Sequence, residues 1–374
     1  MRSQFQRCFG GLAFLMAFVN LMNADTRHQS GSERAISLTA KMESADLSAR
    51  RAAFLKLIDR PRVPLSPEVK ETGESDGLAQ MHFTFAADAE QRVPGILVRQ
   101  SKSAGRRPVV IVLHGTGGNK DGQIALLKDL AGQGFIAVAI DGRYHGERAR
   151  SGNGGAEYNE AILRAYRTGK EHPFLYDTVW DVLRLIDYLE TLANVDAKRI
   201  GLIGFSKGGM ETYLTAAVDP RIAVAVPCIG VQSFRWALEN NSWQSRVGTF
   251  QAAINGAAKD AGVAAVNAEF VRKFYDRVVP GIYDQFDGPQ MLPLIAPRPL
   301  MVINGDSDPR TPLPGLMECA EQARKAYGDG KAEDRFELRI QEKTGHAVTA
   351  ASRQAAINWF VKWLKPLKIG LAAQ

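Results

Sequence analysis

Cysteine is scarce in this chain: three residues in 374, at Cys8, Cys228 and Cys319. Such a count excludes a disulfide framework, and once a leader containing Cys8 is removed only Cys228 and Cys319 remain, whose pairing the sequence leaves open. Metal-binding patterns are lacking as well. There is no His-Glu-x-x-His and no cluster of cysteines and histidines, so no metal is expected. The formal net charge of +7 is not gathered into a basic tract, and no aromatic residues interleave with lysine and arginine, which argues against a nucleic-acid partner.

The one apolar run that suggests targeting lies at the start. Arg2 and Arg7 precede Phe9-Gly-Gly-Leu-Ala-Phe-Leu-Met-Ala-Phe-Val19, a stretch too short to span a bilayer comfortably, and Asn23-Ala24 leads into polar sequence. Residues 1–24 therefore read as a secretory signal peptide cleaved near Ala24, which makes the protein secreted or periplasmic with no stable membrane insertion afterwards. An uncleaved anchor is the alternative. Cys8 precedes the apolar core instead of ending it, which argues against a bacterial lipoprotein.

What is present is a large apolar interior. At 45% hydrophobic content the chain is ample for one large α/β core. Residues 25–78 read as an N-terminal arm: polar and loosely ordered to about 44, then a helix over 45–59 ended by Pro61 and Pro64. Alternating segments at 81–85 and 93–98 suggest an antiparallel hairpin. Apolar strands follow at 109–113, 136–140, 200–203, 223–226, 300–303 and 336–340, separated by helical stretches, of which 178–192 is the clearest. This alternation predicts a mostly parallel sheet with helices on both faces, in a catalytic domain over 79–370. Residues 231–293 interrupt it, rich in helix formers and aromatics, and read as a helical lid insertion; for most of those rings core packing is the expected job.

The richest stretch runs from Arg199 to Met210, where an apolar strand drives into Gly204-Phe205-Ser206-Lys207-Gly208. Gly-x-Ser-x-Gly between a buried strand and a helix is a nucleophile elbow, because residues without Cβ let strand and helix close tightly enough to push one serine into a strained, exposed turn. Ser206 is the candidate nucleophile. A serine hydroxyl is a poor nucleophile near neutral pH, so a base and a group that orients it are required, in the chain order serine, acid, histidine. His346 is the one histidine downstream of Ser206, just after the strand at 336–340 and before an amphipathic helix at 352–364. For the acid, Asp306 and Asp308 follow the strand that ends at Gly305. Asp308 is chosen, since Gly-x-x-Asp-x-x-x-Pro places it clear of the strand, and Asp306 is assigned to a turn bonding its own backbone.

Acyl transfer also needs donors aimed at a developing oxyanion. The strand at 109–113 runs into His114-Gly115-Thr116-Gly117-Gly118, and the backbone amides of Thr116 and Lys207 are the expected pair. The loop matches neither Gly-x-Gly-x-x-Gly nor a loop ending in Gly-Lys-Ser/Thr, so it is not read as a phosphate cradle. His114 is assigned to anchoring the loop, and the Lys207 side chain to pairing at the surface. Tyr144 and Trp236 are the substrate-binding candidates.

With these residues in order, the chain resembles the α/β-hydrolase superfamily, in the branch of dienelactone hydrolase-like, acetyl-xylan-esterase-like and prolyl-oligopeptidase-like serine hydrolases. The resemblance rests on His114-Gly115-Thr116-Gly117-Gly118, Asp141-Gly-Arg-Tyr-His-Gly146, Gly204-Phe-Ser-Lys-Gly208, Gly305-Asp-Ser-Asp308 and Gly345-His346. It implies the α/β-hydrolase fold and a cofactor-independent serine esterase acting on a small-molecule ester. The runner-up is an exo-peptidase or amidase of the prolyl-oligopeptidase type, although no stretch here is long enough for the N-terminal propeller of that type. A non-catalytic binding protein on the same fold would require a lost triad member, and none is lost.

Overall fold

The computed structural model describes residues 45–102, 105–151 and 154–365. The expected signal peptide, the polar stretch 25–44 and Cys8 lie outside the described residues. The chain divides into two units, Met1–Arg50 and Arg51–Gln374; of the first, residues 45–50 are helical, and everything below concerns the second.

A nine-stranded sheet organises that unit. Its strands are β1 (Glu68–Ser75), β2 (Leu78–Ala86), β3 (Arg92–Gln100), β4 (Arg107–Leu113), β5 (Ile136–Ile140), β6 (Val195–Phe205), β7 (Ile222–Cys228), β8 (Leu300–Gly305) and β9 (Phe336–Gln341), in the spatial order β1-β2-β3-β5-β4-β6-β7-β8-β9. β1, β2, β3 and β5 pair antiparallel in succession, whereas β5, β4, β6, β7, β8 and β9 run parallel. The sheet thus begins inside the stretch that the sequence assigns to the N-terminal arm. β1 is exposed at every position, so it carries none of the apolar alternation by which a strand is recognised.

Of the parallel strands, β4, β5 and β8 are buried on both faces, in keeping with their apolar, Val- and Ile-rich runs, whereas β9 at the sheet edge is half-buried. The helices of this unit are α1 (residues 51–58), α2 (Ile124–Gly132), α3 (Gly154–Thr168), α4 (Tyr176–Glu190), α5 (Lys207–Val218), α6 (Phe234–Glu239), α7 (Gln244–Val247), α8 (Gln251–Asp260), α9 (Ala268–Val278), α10 (Gly288–Met291), α11 (Leu313–Asp329) and α12 (Ala350–Leu364). One face is covered by α2 and α12, whose Leu126, Leu127, Leu130, Ile357 and Phe360 pack on Val110, Val112, Ile203, Val226 and Ile303. The alternate residues of the same strands face α4 and α5.

Residues 231–293 fold into α6 to α10 around their own aromatic core. Phe250 stacks with Phe274 (5.9 Å) and meets Phe174 edge-on (4.7 Å), while Phe234 meets Tyr275 at 5.6 Å. α8 and α9 pack on α3, and an ion pair from Arg167 to Asp260 (2.7 Å) joins the same surfaces. Most of the segment's rings are therefore committed to packing. Cys228 and Cys319 are both free and buried, which closes the question of their pairing. Among the described residues no helix is long and apolar enough to cross a membrane.

Candidate active site

The parallel strands end their carboxyl edges around β4, the point where the chain steps first to β5 and then back past β4 to β6. Loops leaving opposite sides of such a switch point open a crevice, which is where α/β sheets place their ligands.

β6 delivers Ser206 into this crevice. Its backbone sits at φ 56°, ψ −111°, a strained conformation for a residue with a side chain, and its amide donates to Cys228 O (2.9 Å). Close approach explains the flanking glycines: a Cβ on Gly204 would lie 2.1 Å from the Gly208 carbonyl oxygen, and one on Gly208 2.5 Å from that of Leu113. Either side chain would force the turn open.

The loop after β9 brings His346 to Ser206, with 2.8 Å between Nε2 and Oγ. On its other side Nδ1 lies 2.8 and 3.0 Å from the two carboxylate oxygens of Asp308. An ionised carboxylate only accepts, so Nδ1 carries the proton and Nε2 is left to accept from the serine hydroxyl. Asp308 also accepts from the amides of Arg310 (2.8 Å) and Thr311 (3.2 Å). Burial pushes its carboxyl up, but the His346 hydrogen bond and charge, the Arg310 amide and the Arg246 guanidinium outweigh this and hold it below the usual carboxylate range.

Asp306 has a task beyond the one the sequence suggests. Its carboxylate accepts from the amides of Lys343 (2.8 Å) and Thr344 (3.1 Å) and from Ser307 Oγ (2.7 Å). Besides bonding the Ser307 backbone beside it, as a turn residue does, it staples the β8 loop to the loop that presents His346. The two aspartates divide the work: one touches the imidazole, the other fixes the loop that carries it.

The loop after β4 packs directly on the elbow, close enough that a Cβ on Gly115 would sit 3.2 Å from Phe205 O and 3.3 Å from Ser206 Cβ. His114 is fully engaged in it. The Gly142 amide donates to Nε2 (2.9 Å), so the proton is on Nδ1, which donates to Gly115 O (2.8 Å). Burial first, then the charges of Lys207 and His145, hold its pKa well below that of an ordinary imidazole, and it stays neutral. Asp141 ties the same region from below, accepting from the amides of Lys120 (2.8 Å) and Glu147 (3.0 Å) and pairing with Lys120 Nζ (3.1 Å). Thr116 thus stands in a fixed loop beside Ser206, and Lys207 opens α5, where the first helical amides have no intrahelical acceptor.

The Lys207 side chain corrects the expectation of a surface pair. It is buried and paired with Glu211 at 2.5 Å, one turn along α5. Burial pushes the Glu211 carboxyl up, against the pull of Lys207. The i, i+4 spacing was visible in the sequence, but its burial follows from α4 and the β5 loop closing over it.

Of the substrate-binding candidates, Tyr144 has a backbone φ of 62° and a hydroxyl that donates to Glu171 (3.2 Å) and accepts from Arg164 (2.8 Å). Trp236 lies over α11, where a Cβ on Gly315 would be 3.1 Å from its ring. The contacts of both side chains thus lie away from Ser206, His346 and Asp308. Sequence reasoning missed Arg246 and Thr311, which stand behind Asp308. Their contacts reach across 14 and 65 residues of sequence, so no local spacing announces them. Among the described residues no group of three or more His, Cys, Asp or Glu could hold a metal ion.

Comparison with known proteins finds esterases. The acetyl xylan esterase family profile matches residues 56–239. The chain is 27% identical over 329 residues to the hydrolase-like protein YtaP of Bacillus subtilis (strain 168), covering 84% of this chain and 98% of that one. It is 26% identical over 201 residues to the 4-O-methyl-glucuronoyl methylesterase 1 of Sodiomyces alcalophilus, covering 52% of this chain and 39% of that one. An acetyl xylan esterase from Paenibacillus sp. R4 shares the fold with a TM-score of 0.60 at 20% identity, over 85% of this chain and 94% of that one. Acetyl xylan esterase 1 from Thermoanaerobacterium sp. JW/SL YS485 does so with a TM-score of 0.60 at 18% identity, over 85% and 93%. The fold is the α/β-hydrolase fold of these esterases. In sequence its likeness is to acetyl xylan esterases and related carboxylic-ester hydrolases.

Proposed function

We propose that this protein is a serine esterase that works through an acyl-enzyme, with Ser206 as nucleophile, His346 as general base and acid, and Asp308 as the group that orients the imidazole. The observation that carries the reading is the unbroken line from Ser206 Oγ to His346 Nε2 and from His346 Nδ1 to Asp308, each step 2.8 Å, set on a strained strand-to-helix turn. As Oγ attacks the ester carbonyl carbon, His346 takes the hydroxyl proton, and the carbonyl electron pair moves onto oxygen. The Thr116 and Lys207 amides hold that oxyanion. Collapse of the intermediate breaks the bond to the alcohol oxygen, which leaves with the proton from His346. Water then repeats the sequence on the acyl-serine, releasing the acid and restoring Ser206.

Relatives named for acetyl and glucuronoyl methyl esters favour small esters borne on carbohydrate as the substrate class, in preference to peptides. Residues 231–293, packed beside the site, are proposed as the segment that bounds the acyl or alcohol pocket. Labelling with a fluorophosphonate, followed by peptide mass mapping, should put one adduct on Ser206. A p-nitrophenyl ester series together with acetate release from acetylated xylan reads the acyl preference. An adduct elsewhere, or turnover that survives complete labelling of Ser206, would refute the assignment.

A further inference from the structure

Arg246 is poorly accommodated in the interior. It belongs to α7 of the insertion, it is 1% exposed, and among the described residues no carboxylate lies within ion-pair distance of it. Nε and one terminal nitrogen donate to Gln232 Oε1 (3.3 and 3.0 Å), and that nitrogen also donates to Thr311 Oγ1 (3.1 Å). The other terminal nitrogen and the neighbouring Gln232 Nε2 are both buried without a partner among the described residues. Taking a guanidinium out of water without a counterion is costly, and a hydrophobic side chain of similar volume would fill the same space at lower cost. Packing is therefore a poor account of this residue.

What Arg246 does touch leads to the site. Thr311 accepts from Arg246 and donates its own hydroxyl proton to Ile229 O (3.2 Å), so its rotamer is fixed at both ends. Its amide donates to Asp308 Oδ1, which also takes the Arg310 amide. Asp308 holds His346, and His346 meets Ser206. A continuous chain of hydrogen bonds runs from the insertion to the nucleophile.

We propose that Arg246 is a positioning residue for the reaction at Ser206: its guanidinium locks Thr311, and through Thr311 and its own charge it keeps the Asp308 carboxylate aimed at His346. The proposal rests on the serine reading above and adds to it a role for the insertion. The charges and titratable groups that face Arg246 are Asp308, Tyr275 on α9, Tyr213 on α5 and Arg310. Of these, Asp308 is the carboxylate, and Tyr275 and Tyr213 are kept neutral by burial. Burial lowers Arg246 itself to about 10, so it remains a cation at neutral pH. From the side of Asp308 the facing groups are His346, the Arg310 amide and Arg246. Removing Arg246 withdraws a charge that opposes proton uptake by the Asp308–His346 pair, so the acid limb of the activity profile moves to higher pH.

The test is the pH profile of kcat/KM on p-nitrophenyl acetate for Arg246→Gln, Arg246→Lys and Thr311→Val, each checked by circular dichroism and by fluorophosphonate labelling of Ser206. Arg246→Gln should lower kcat about 10- to 100-fold with KM within about threefold, and move the acid limb up by about half a unit or more. Arg246→Lys keeps the cation and should return the limb to within about 0.2 units of wild type. Thr311→Val, near in shape but without the hydroxyl, should lower kcat about three- to tenfold and leave the limb in place. A folded Arg246→Gln whose limb does not move overturns the proposal. If that variant does not fold, Thr311→Val decides: a loss in kcat at constant KM supports the chain of contacts, and an unchanged kcat overturns it. Failure of Ser206 to take the label in the wild-type protein would instead sink the serine reading.

Discussion

At the elbow, position is enforced by main chain against main chain, with Gly204 pressed on Gly208 and Gly208 on the end of β4. In the insertion it is enforced by side chains: rings of Phe234, Phe250, Phe274 and Tyr275 packed on one another, and Asp287 reaching back to the start of α6. The two devices tolerate change differently. A glycine on which any Cβ would lie 2.1 Å from a carbonyl oxygen admits no substitution yet is indifferent to most neighbours, whereas an aromatic cluster accepts other apolar residues of similar volume. Hence the elbow is suited to holding chemistry constant, and the insertion to adapting what is bound.

The largest effect separates the two regions outright. Ser206→Ala should lower kcat by about four orders of magnitude or more while the thermal melt stays near wild type, since binding and the oxyanion donors alone supply only a modest acceleration. Retention of more than about a tenth of the activity would remove Ser206 from its role. Next comes the pair of aspartates. Asp308→Asn should cost about 10² to 10⁴ in kcat through a wrongly oriented imidazole, and Asp306→Asn less than about tenfold through a looser His346 loop. The reverse ranking in steady-state kinetics would mean that the loop, and not the contact to His346, is the critical element.

A smaller effect, on stability, belongs to the insertion. Asp287 accepts from the amides of Phe234 (2.7 Å), Arg235 (3.0 Å) and Gly288 (2.8 Å) and from Ser233 Oγ (3.0 Å), serving the starts of both α6 and α10. Replacing it with alanine should cost about 1–2 kcal/mol, read as a lower melting temperature, with hydrolysis of a small acetyl ester retained. Burial raises its carboxyl to about 6 in spite of those donors. A folded-state value above the unfolded one means that the native protein holds the proton more tightly, so the contribution is complete below the unfolded range and is lost as pH climbs through about 6. Asp287→Asn should flatten the pH dependence of the melt between about 4 and 7, and an unchanged slope would assign that titration elsewhere. An effect on binding of similar size belongs to Trp236→Ala: a higher KM for long or bulky esters, worth about 1–3 kcal/mol, with kcat on an acetyl ester within several-fold. A large drop in melting temperature with unchanged chain-length preference would show that Trp236 only packs on α11.

How much of this was open to reading depends on where each contact comes from. The elbow was legible because its strand, its glycines and its serine are contiguous, and His346 because chain order left one histidine to consider. Asp308 and Asp306 were separable by their distance from the end of β8, although only the fold reveals that Asp306 binds the amides of Lys343 and Thr344. β1 was invisible, since Glu-Val-Lys-Glu-Thr-Gly-Glu-Ser offers a sheet edge no apolar face. Lys207 misled for a related reason: a lysine within a turn of a glutamate reads as a solvated pair unless one knows that other elements cover it. Arg246 lay beyond local reasoning altogether, because what defines it is the company of Gln232 and Thr311.

All twelve residues of α5 are buried, so the helix that Ser206 opens has no face in water. Such a segment cannot fray locally, since any loosening would uncover apolar surface on every side at once. Amide protons along Lys207–Val218 should therefore exchange only through global opening, at rates that match the slowest strands. On slow heating, the capacity to take a fluorophosphonate label should disappear together with the cooperative melt and not before it. A protein whose reactivity fades ten degrees below its calorimetric transition would show that the elbow opens as a separate unit, and that the enclosure of α5 is looser in solution than its packing implies.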